Sequence, residues 1–296
     1  MQPKIYAHRG ASGQYAEHTR AAYLQSLEEG ADGVECDVHL SSDLEPVLLH
    51  DSVLDRTSNG TGPVSGHTLE QLRSLDFSSW KGVEIPADRG SAAEQFLTLA
   101  ELLDLLLAAG RDVGLAVEFK QPGPFGLRLE DTVLSLLASR GWDAATSRLA
   151  NIHVSFMSFS PESVAHLRRS VDAEFVCQLV SDVGAAAIAE TAAVLPEGSD
   201  ARAVLEEGLG QALSLLAAGT AGIAGPGVEY IHSHPGTVGD WVKSGRTVRA
   251  WTVDEPADAE FAYALGVREF TTNHPARMRR ILDDLTGSGT GTAPQP

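Results

Sequence analysis

The stretch Gly33–Asp51, GVECDVHLSSDLEPVLLHD, decides how this chain folds. Glu35 and Asp37 stand two residues apart in an apolar, β-prone run. In a strand they share one face, with Cα atoms about 7 Å apart. Val34, Cys36 and Val38 take the other face and can pack. Two carboxylates on one inward face repel each other unless a cation sits between them. Ser41–Glu45 is a short polar turn, and Pro46–Leu49 leads back to His50 and Asp51. So short a turn cannot make a parallel crossover, which needs about a dozen residues or more. The stretch is predicted to be a hairpin that returns His50 to the level of the Glu35/Asp37 pair. A plain amphipathic hairpin with one wet face would explain the carboxylates, but not the returning histidine.

Outward from the hairpin, strands and helices alternate. Lys4–Ala7 is a short strand ending at His8-Arg9-Gly10, and a helix over Arg20–Glu29 leads into the Glu35/Asp37 strand. That βαβ unit signals a parallel sheet. The further parallel strands are expected at Val113–Phe119, Ile152–Phe156, Phe175–Val180, Ala221–Gly225, Thr247–Val253 and Arg268–Thr272, each separated from the next by helical sequence. With Lys4–Ala7 and Gly33–Asp37 this makes the count for a closed (β/α)8 TIM-type barrel, a fold of about 250 residues. A single catalytic domain over 1–286 is expected. Within it, 52–97 breaks the alternation and reads as an insertion over one end of the barrel; Thr68 and Gln71 there form a capping box. Gly287–Pro296 is low-complexity and reads as a disordered tail.

Lys plus Arg total 22 against 40 Asp plus Glu, a net charge of −18. So acidic a surface disfavours nucleic acid, anionic membrane and long polyanions as partners, so no stable membrane association is expected. A small anion would need a local cationic centre. The two cysteines, Cys36 and Cys177, lie far apart in predicted strands and read as buried thiols. No apolar leader or long apolar run is visible, and the chain reads as cytoplasmic.

In such barrels the chemistry sits where strands end, at the C-terminal face. The residues expected there are His8, Arg9, Glu35, Asp37, Glu118, Lys120, Ser155, Trp251 and Asn273. Each alone has an ordinary explanation: a satisfied histidine, a salt-bridged glutamate, a core tryptophan, a turn asparagine. Together at one face they do not, because unpaired buried ions cost several kcal/mol each. Glu35, Asp37 and Glu118 suit an all-oxygen site for Mg²⁺ or Ca²⁺. His8 and His50 can serve as a general acid/base pair. Arg9 and Lys120 add positive charge for a phosphate. Asp51 reads as a brace for His50. His39, His67, His153, His166, His232, His234 and His274 read as surface or loop residues.

His8-Arg9-Gly10, Glu17-x-Thr19, Glu35-x-Asp37, His50-Asp51, Glu118-x-Lys120 and Trp251-Thr252-Val253 together resemble the signature series of the glycerophosphodiester phosphodiesterase family, in order, from Tyr6 to about Pro275. The resemblance implies a TIM-type barrel that hydrolyses a small glycerophosphodiester to an alcohol and glycerol 3-phosphate. It implies Glu35, Asp37 and Glu118 as metal ligands and His8 and His50 as the acid/base pair. Arg9, Lys120 and Trp251 would contact substrate, and Glu17 would orient Arg9 or the metal's surroundings. The chain departs from the family pattern at four positions. Ala16 and His18 stand for the Pro and Asn of a usual Pro-Glu-Asn-Thr, Asp254 for the Asn that often follows Trp-Thr-Val, and Asn273 for the Asp of a late Thr-Asp pair. Two other readings compete: a lysophospholipase D or sphingomyelinase D-like enzyme, with Phe77, Trp80 and Phe96 as an apolar rim, and a catalytically silent barrel.

Overall fold

The structure is a computed structural model and describes residues 2–195 and 198–287. The strands are β1 (Lys4–Ala7), β2 (Gly33–Leu40), β3 (Pro46–Leu48), β4 (Val113–Phe119), β5 (Arg148–Leu149), β6 (Ile152–Ser158), β7 (Val176–Val180), β8 (Ile223–Pro226), β9 (Thr247–Ala250) and β10 (Glu269–Thr272). Setting aside β3 and β5, each remaining strand pairs in parallel with its neighbours, in the order β1-β2-β4-β6-β7-β8-β9-β10. β10 pairs back onto β1, which closes the barrel. Closure leaves no sheet edge among these strands. Helices fill the connections, and the eight strand positions predicted from the sequence are all occupied.

The predicted hairpin forms. β3 runs antiparallel to β2, with Val38 opposite Leu48 and Leu40 opposite Pro46. The Ser41 amide donates to the Glu45 carbonyl at 3.1 Å, and Leu44 at φ 69° makes the corner. Val34, Cys36 and Val38 are wholly buried on the outer face of β2, in the main core with Leu99, Leu102 and Leu103 of the helix Leu99–Leu107. Inside the barrel, Tyr6 packs with Ala116, Met157, Cys177, Leu179 and Ile223. The Tyr6 ring needs the glycine at 33, because a Cβ there would stand 2.5 Å from it.

The segment 52–97 contains short helices, including Leu69–Arg73 with the capping box of Thr68 and Gln71 in place. It builds a small core of its own from Leu54, Val64, Leu72, Phe77 and Phe96 against Val47 and Leu49. The expected tail lies outside the described residues beyond Gly287, which caps the helix Pro275–Thr286 in the left-handed conformation.

Candidate active site

β2 and β4 hold the acidic groups. Asp37 lies opposite Glu118 in the register, and Glu35 lies opposite Ala116. One carboxylate oxygen from each of Glu35, Asp37 and Glu118 falls within 4.8 Å of the others, and all three residues are buried. Lys120 Nζ lies 2.7 Å from Glu118 Oε1 and 3.0 Å from Asp37 Oδ1. Arg9 Nε and His18 Nε2 lie 3.0 and 2.9 Å from Asp37 Oδ2. Burial works against a charged Asp37, but Lys120, Arg9 and His18 hold its carboxyl well below the usual range. Glu35 has fewer compensations. Burial, with Asp37 and Glu118 beside it, pushes its carboxyl well up. Burial also raises Glu118. Glu35 Oε2 accepts from the Arg9 amide at 3.0 Å, while its Oε1 is buried without a partner. Hard oxygen donors in a tight group, one of them unpaired, fit a divalent cation of the Mg²⁺ or Ca²⁺ kind.

Two imidazoles approach this group from different arms. His8 is the first residue past β1, its amide donating to the Thr272 carbonyl at 2.8 Å. Its Nδ1 lies 2.8 Å from Asn273 Oδ1. Burial, helped by Arg9, pushes the His8 imidazole down to about 3, and Asp37 is among the charges it feels. His50 follows β3, and the Leu49 amide donates to the Asp37 carbonyl at 3.3 Å, so the hairpin does return His50 to the acidic level. His50 Nδ1 lies 2.7 Å from Asp51 Oδ1, and His50 is among the groups that act on the Glu118 carboxyl.

Glu17 and Arg56 join the two arms. Arg9 Nη1 donates to Glu17 Oε1 at 3.0 Å, and Arg56 grips both Glu17 and Asp51. Burial opposes ionisation of Glu17, but Arg56 and Arg9 bring its carboxyl down to about 2. The first arm is also held by unusual backbone. Arg9 and His18 adopt φ of 56° and 61°, and the His18 amide donates to the Arg9 carbonyl at 3.0 Å. Left-handed non-glycine residues cost of order 1 kcal/mol or more and gather at functional sites. Gly10, φ 81°, completes the turn, where a Cβ would meet the Ala22 backbone at 2.6 Å. Sequence reasoning missed Arg56; the available signal was that it is the single cation of the Asp55–Gly66 loop.

Trp251 lies past β9, where its Nε1 donates to the Gly225 carbonyl at 2.7 Å and its ring meets Phe159 edge-on at 5.4 Å. Ser155 does not join the mouth. β6 runs on to Ser158, so Ser155 sits deeper, its Oγ 3.0 Å from the buried Arg249, which pairs with Glu269 and stacks on Tyr6. His39 is not a surface residue either: it lies on β2, half-buried, with Nε2 3.2 Å from the His50 carbonyl. His232 is a surface residue, exposed on the helix Val228–Ser233. Of the insertion's aromatics, Phe77 and Phe96 are buried and stacked at 4.5 Å, while Trp80 is exposed.

A (β/α)8 barrel with acids, imidazoles and cations gathered where its strands end belongs to the class of barrel enzymes. Known proteins narrow this. The family model for the glycerophosphoryl diester phosphodiesterase family matches residues 8–277. A Mycobacterium tuberculosis protein named probable glycerophosphodiester phosphodiesterase 1 is 37% identical over 290 residues, covering 97% of this chain and 95% of its own length. Human glycerophosphodiester phosphodiesterase 1 is 49% identical over 70 residues, 24% of this chain and 21% of that one. Among solved structures, an Oleispira antarctica phosphodiesterase in complex with sn-glycerol-3-phosphate superposes with a TM-score of 0.71 at 24% identity, covering 95% of this chain and 97% of that one. The chain belongs to the glycerophosphoryl diester phosphodiesterase family.

Proposed function

We propose that the chain hydrolyses glycerophosphodiesters to an alcohol and glycerol 3-phosphate, as a single catalytic domain over 1–286 acting in the cytoplasm. The observation that carries this reading is the meeting, at one end of a barrel of this family, of three buried carboxylates with His8 and His50. Glu35, Asp37 and Glu118 would hold Mg²⁺ or Ca²⁺, which when bound would supply fixed positive charge for the phosphoryl group. Arg9 and Lys120 bring further positive charge to the same oxygens, and Trp251 walls the glycerol side of the mouth. Glu17 and Asp51 hold Arg9 and His50 in place. One imidazole takes the proton from the attacking hydroxyl, and the other gives a proton to the departing alcohol oxygen. The attacking hydroxyl is the substrate's own glycerol hydroxyl, giving a cyclic phosphate that water then opens, or it is water from the start.

The lysophospholipase-like reading has less support, because two of the three aromatics it needs are buried. The silent-barrel reading has to account for an intact pair of histidines and a complete acidic trio. Hydrolysis of glycerophosphocholine, measured with and without EDTA in wild type and His50→Ala, separates them. The expected result is turnover that EDTA abolishes and Mg²⁺ or Ca²⁺ restores, and that falls on the order of 10²–10⁴-fold in the variant. No turnover by the metal-loaded wild type would leave the silent barrel standing.

A further inference from the structure

The ring of His8 has a neighbour whose orientation is dictated from behind. Asn273, one residue past β10, places Oδ1 2.8 Å from His8 Nδ1 and 2.6 Å from Ser12 Oγ. Its Nδ2 lies 2.6 Å from Asp254 Oδ2, and its backbone amide donates to Asp254 Oδ1 at 2.9 Å. The Thr272 hydroxyl donates to the same Asp254 Oδ1 at 2.8 Å. An ionised carboxylate only accepts hydrogen bonds, so the side of Asn273 that faces Asp254 must be the NH2 group. The side that faces His8 is therefore the carbonyl oxygen, which also only accepts. His8 Nδ1 must then carry the proton. In a neutral imidazole this leaves Nε2 as the free lone pair. Burial keeps His8 neutral, with its imidazole pushed down to about 3, and Nε2 has no partner among the described residues.

We infer that Asp254, acting through Asn273, is a positioning residue that locks His8 in the Nδ1–H tautomer and so presents an unprotonated Nε2 to the reacting atoms. This rests on His8 being one of the acid/base pair. It also gives meaning to two departures seen in the sequence: Asp254 and Asn273 are an Asn/Asp pair with its members exchanged. The exchange is close to isosteric. With Asn at 254 and Asp at 273, the Asn oxygen still accepts from Thr272 and from the amide of residue 273. Its NH2 donates to the new carboxylate, and the other carboxylate oxygen accepts from His8 Nδ1–H.

The single change Asp254→Asn has the opposite consequence. Thr272 and the 273 amide fix the new Asn with its oxygen toward them, so its NH2 faces the NH2 of Asn273. Two donors cannot share a contact, so Asn273 turns over and presents NH2 to His8 Nδ1. That ring nitrogen must now accept, and the proton moves to Nε2.

The test uses the full chain loaded with Mg²⁺ and labelled with ¹⁵N-histidine, with the His8 signals assigned by their loss in His8→Gln. Wild type should show a protonated Nδ1 and a bare Nε2. Asp254→Asn should show the reverse, with kcat on glycerophosphocholine lowered about 10²-fold and KM within about two-fold. The double variant Asp254→Asn/Asn273→Asp should restore the Nδ1–H signal and recover kcat to within about ten-fold of wild type. An unchanged His8 tautomer in Asp254→Asn, or a double variant no better than the single one, would overturn the inference. The tautomer is read without turnover, so it stands apart from the underlying reading. That reading fails if His8→Gln keeps wild-type kcat, and the inferred catalytic purpose of the lock then fails with it.

Discussion

Arg56 takes both carboxylate oxygens of Glu17, Nη1 on Oε2 at 2.9 Å and Nη2 on Oε1 at 2.7 Å. The same guanidinium reaches Asp51, Nε on Oδ2 at 2.7 Å and Nη2 on Oδ1 at 3.0 Å. Glu17 holds Arg9, and Asp51 holds His50. One loop cation therefore ties the arm that follows β1 to the arm that follows β3.

Replacing Arg56 by Met should separate those arms. The guanidinium is 44% exposed, so solvent screens its ion pairs and the stability loss should stay near 1 kcal/mol. The larger effect should be on turnover, about ten-fold or more in kcat, because His50 and Arg9 lose their shared tether. Urea unfolding and steady-state kinetics on one sample would check both. A variant that loses stability but keeps kcat would confine Arg56 to a structural role.

The Glu35→Gln variant separates metal binding from folding. The Glu35 carboxyl is raised by burial, so its ionised form disfavours the metal-free native state above a pH of about 4.3. At pH 7 the metal-free variant should melt a few degrees above metal-free wild type, roughly 1–2 kcal/mol. Added Mg²⁺ or Ca²⁺ should reverse the order. Wild type gains about 2.7 kcal/mol at a hundred times Kd, and the variant, short of one ligand, gains much less. Thermal melts across a metal titration read both effects, and chelation should return wild type to its lower melting point.

Two half-buried histidines set a pH dependence of stability. Burial pushes His8 down to about 3 and His39 to about 4. Between these values and the unfolded value near 6.5, the unfolded chain binds protons that the native state refuses. Stability should therefore rise with pH across this window, with a slope of up to about 1.4 kcal/mol per pH unit for each group. The carboxylates act lower down. The Glu17 carboxyl, brought to about 2, contributes stability that is present above the ordinary carboxylate range and lost as pH falls toward 2. His39→Gln should flatten urea-derived stability between pH 4 and 6 relative to wild type; an unaltered slope would contradict the burial argument.

Aromatic contacts at the mouth should show up in substrate binding. Trp251→Ala removes the ring that meets Phe159 edge-on and donates to Gly225. The expected change is a rise in KM of about ten-fold with kcat within about three-fold, the signature of lost uniform binding. Trp80→Ala, on the exposed insertion, should leave both constants unchanged.

The repeating part of this protein was legible in its sequence. Period-2 apolar runs alternating with helical faces place the strands, and the i, i+2 spacing puts Glu35 and Asp37 on one side of β2, because both follow from local backbone geometry. A five-residue turn brings His50 home for the same reason. Only tertiary structure decided what those groups touch. Arg56 meets Glu17 across 39 residues of chain, and Asn273 meets His8 across 265. No local propensity encodes such contacts: the first exists only once β2 pairs with β1 and β3, and the second only once barrel closure sets β10 beside β1. The same holds for Ser155. Its depth in the barrel depends on where β6 stops, and that is set by its pairing with β4 and β7 rather than by the residues of the strand itself.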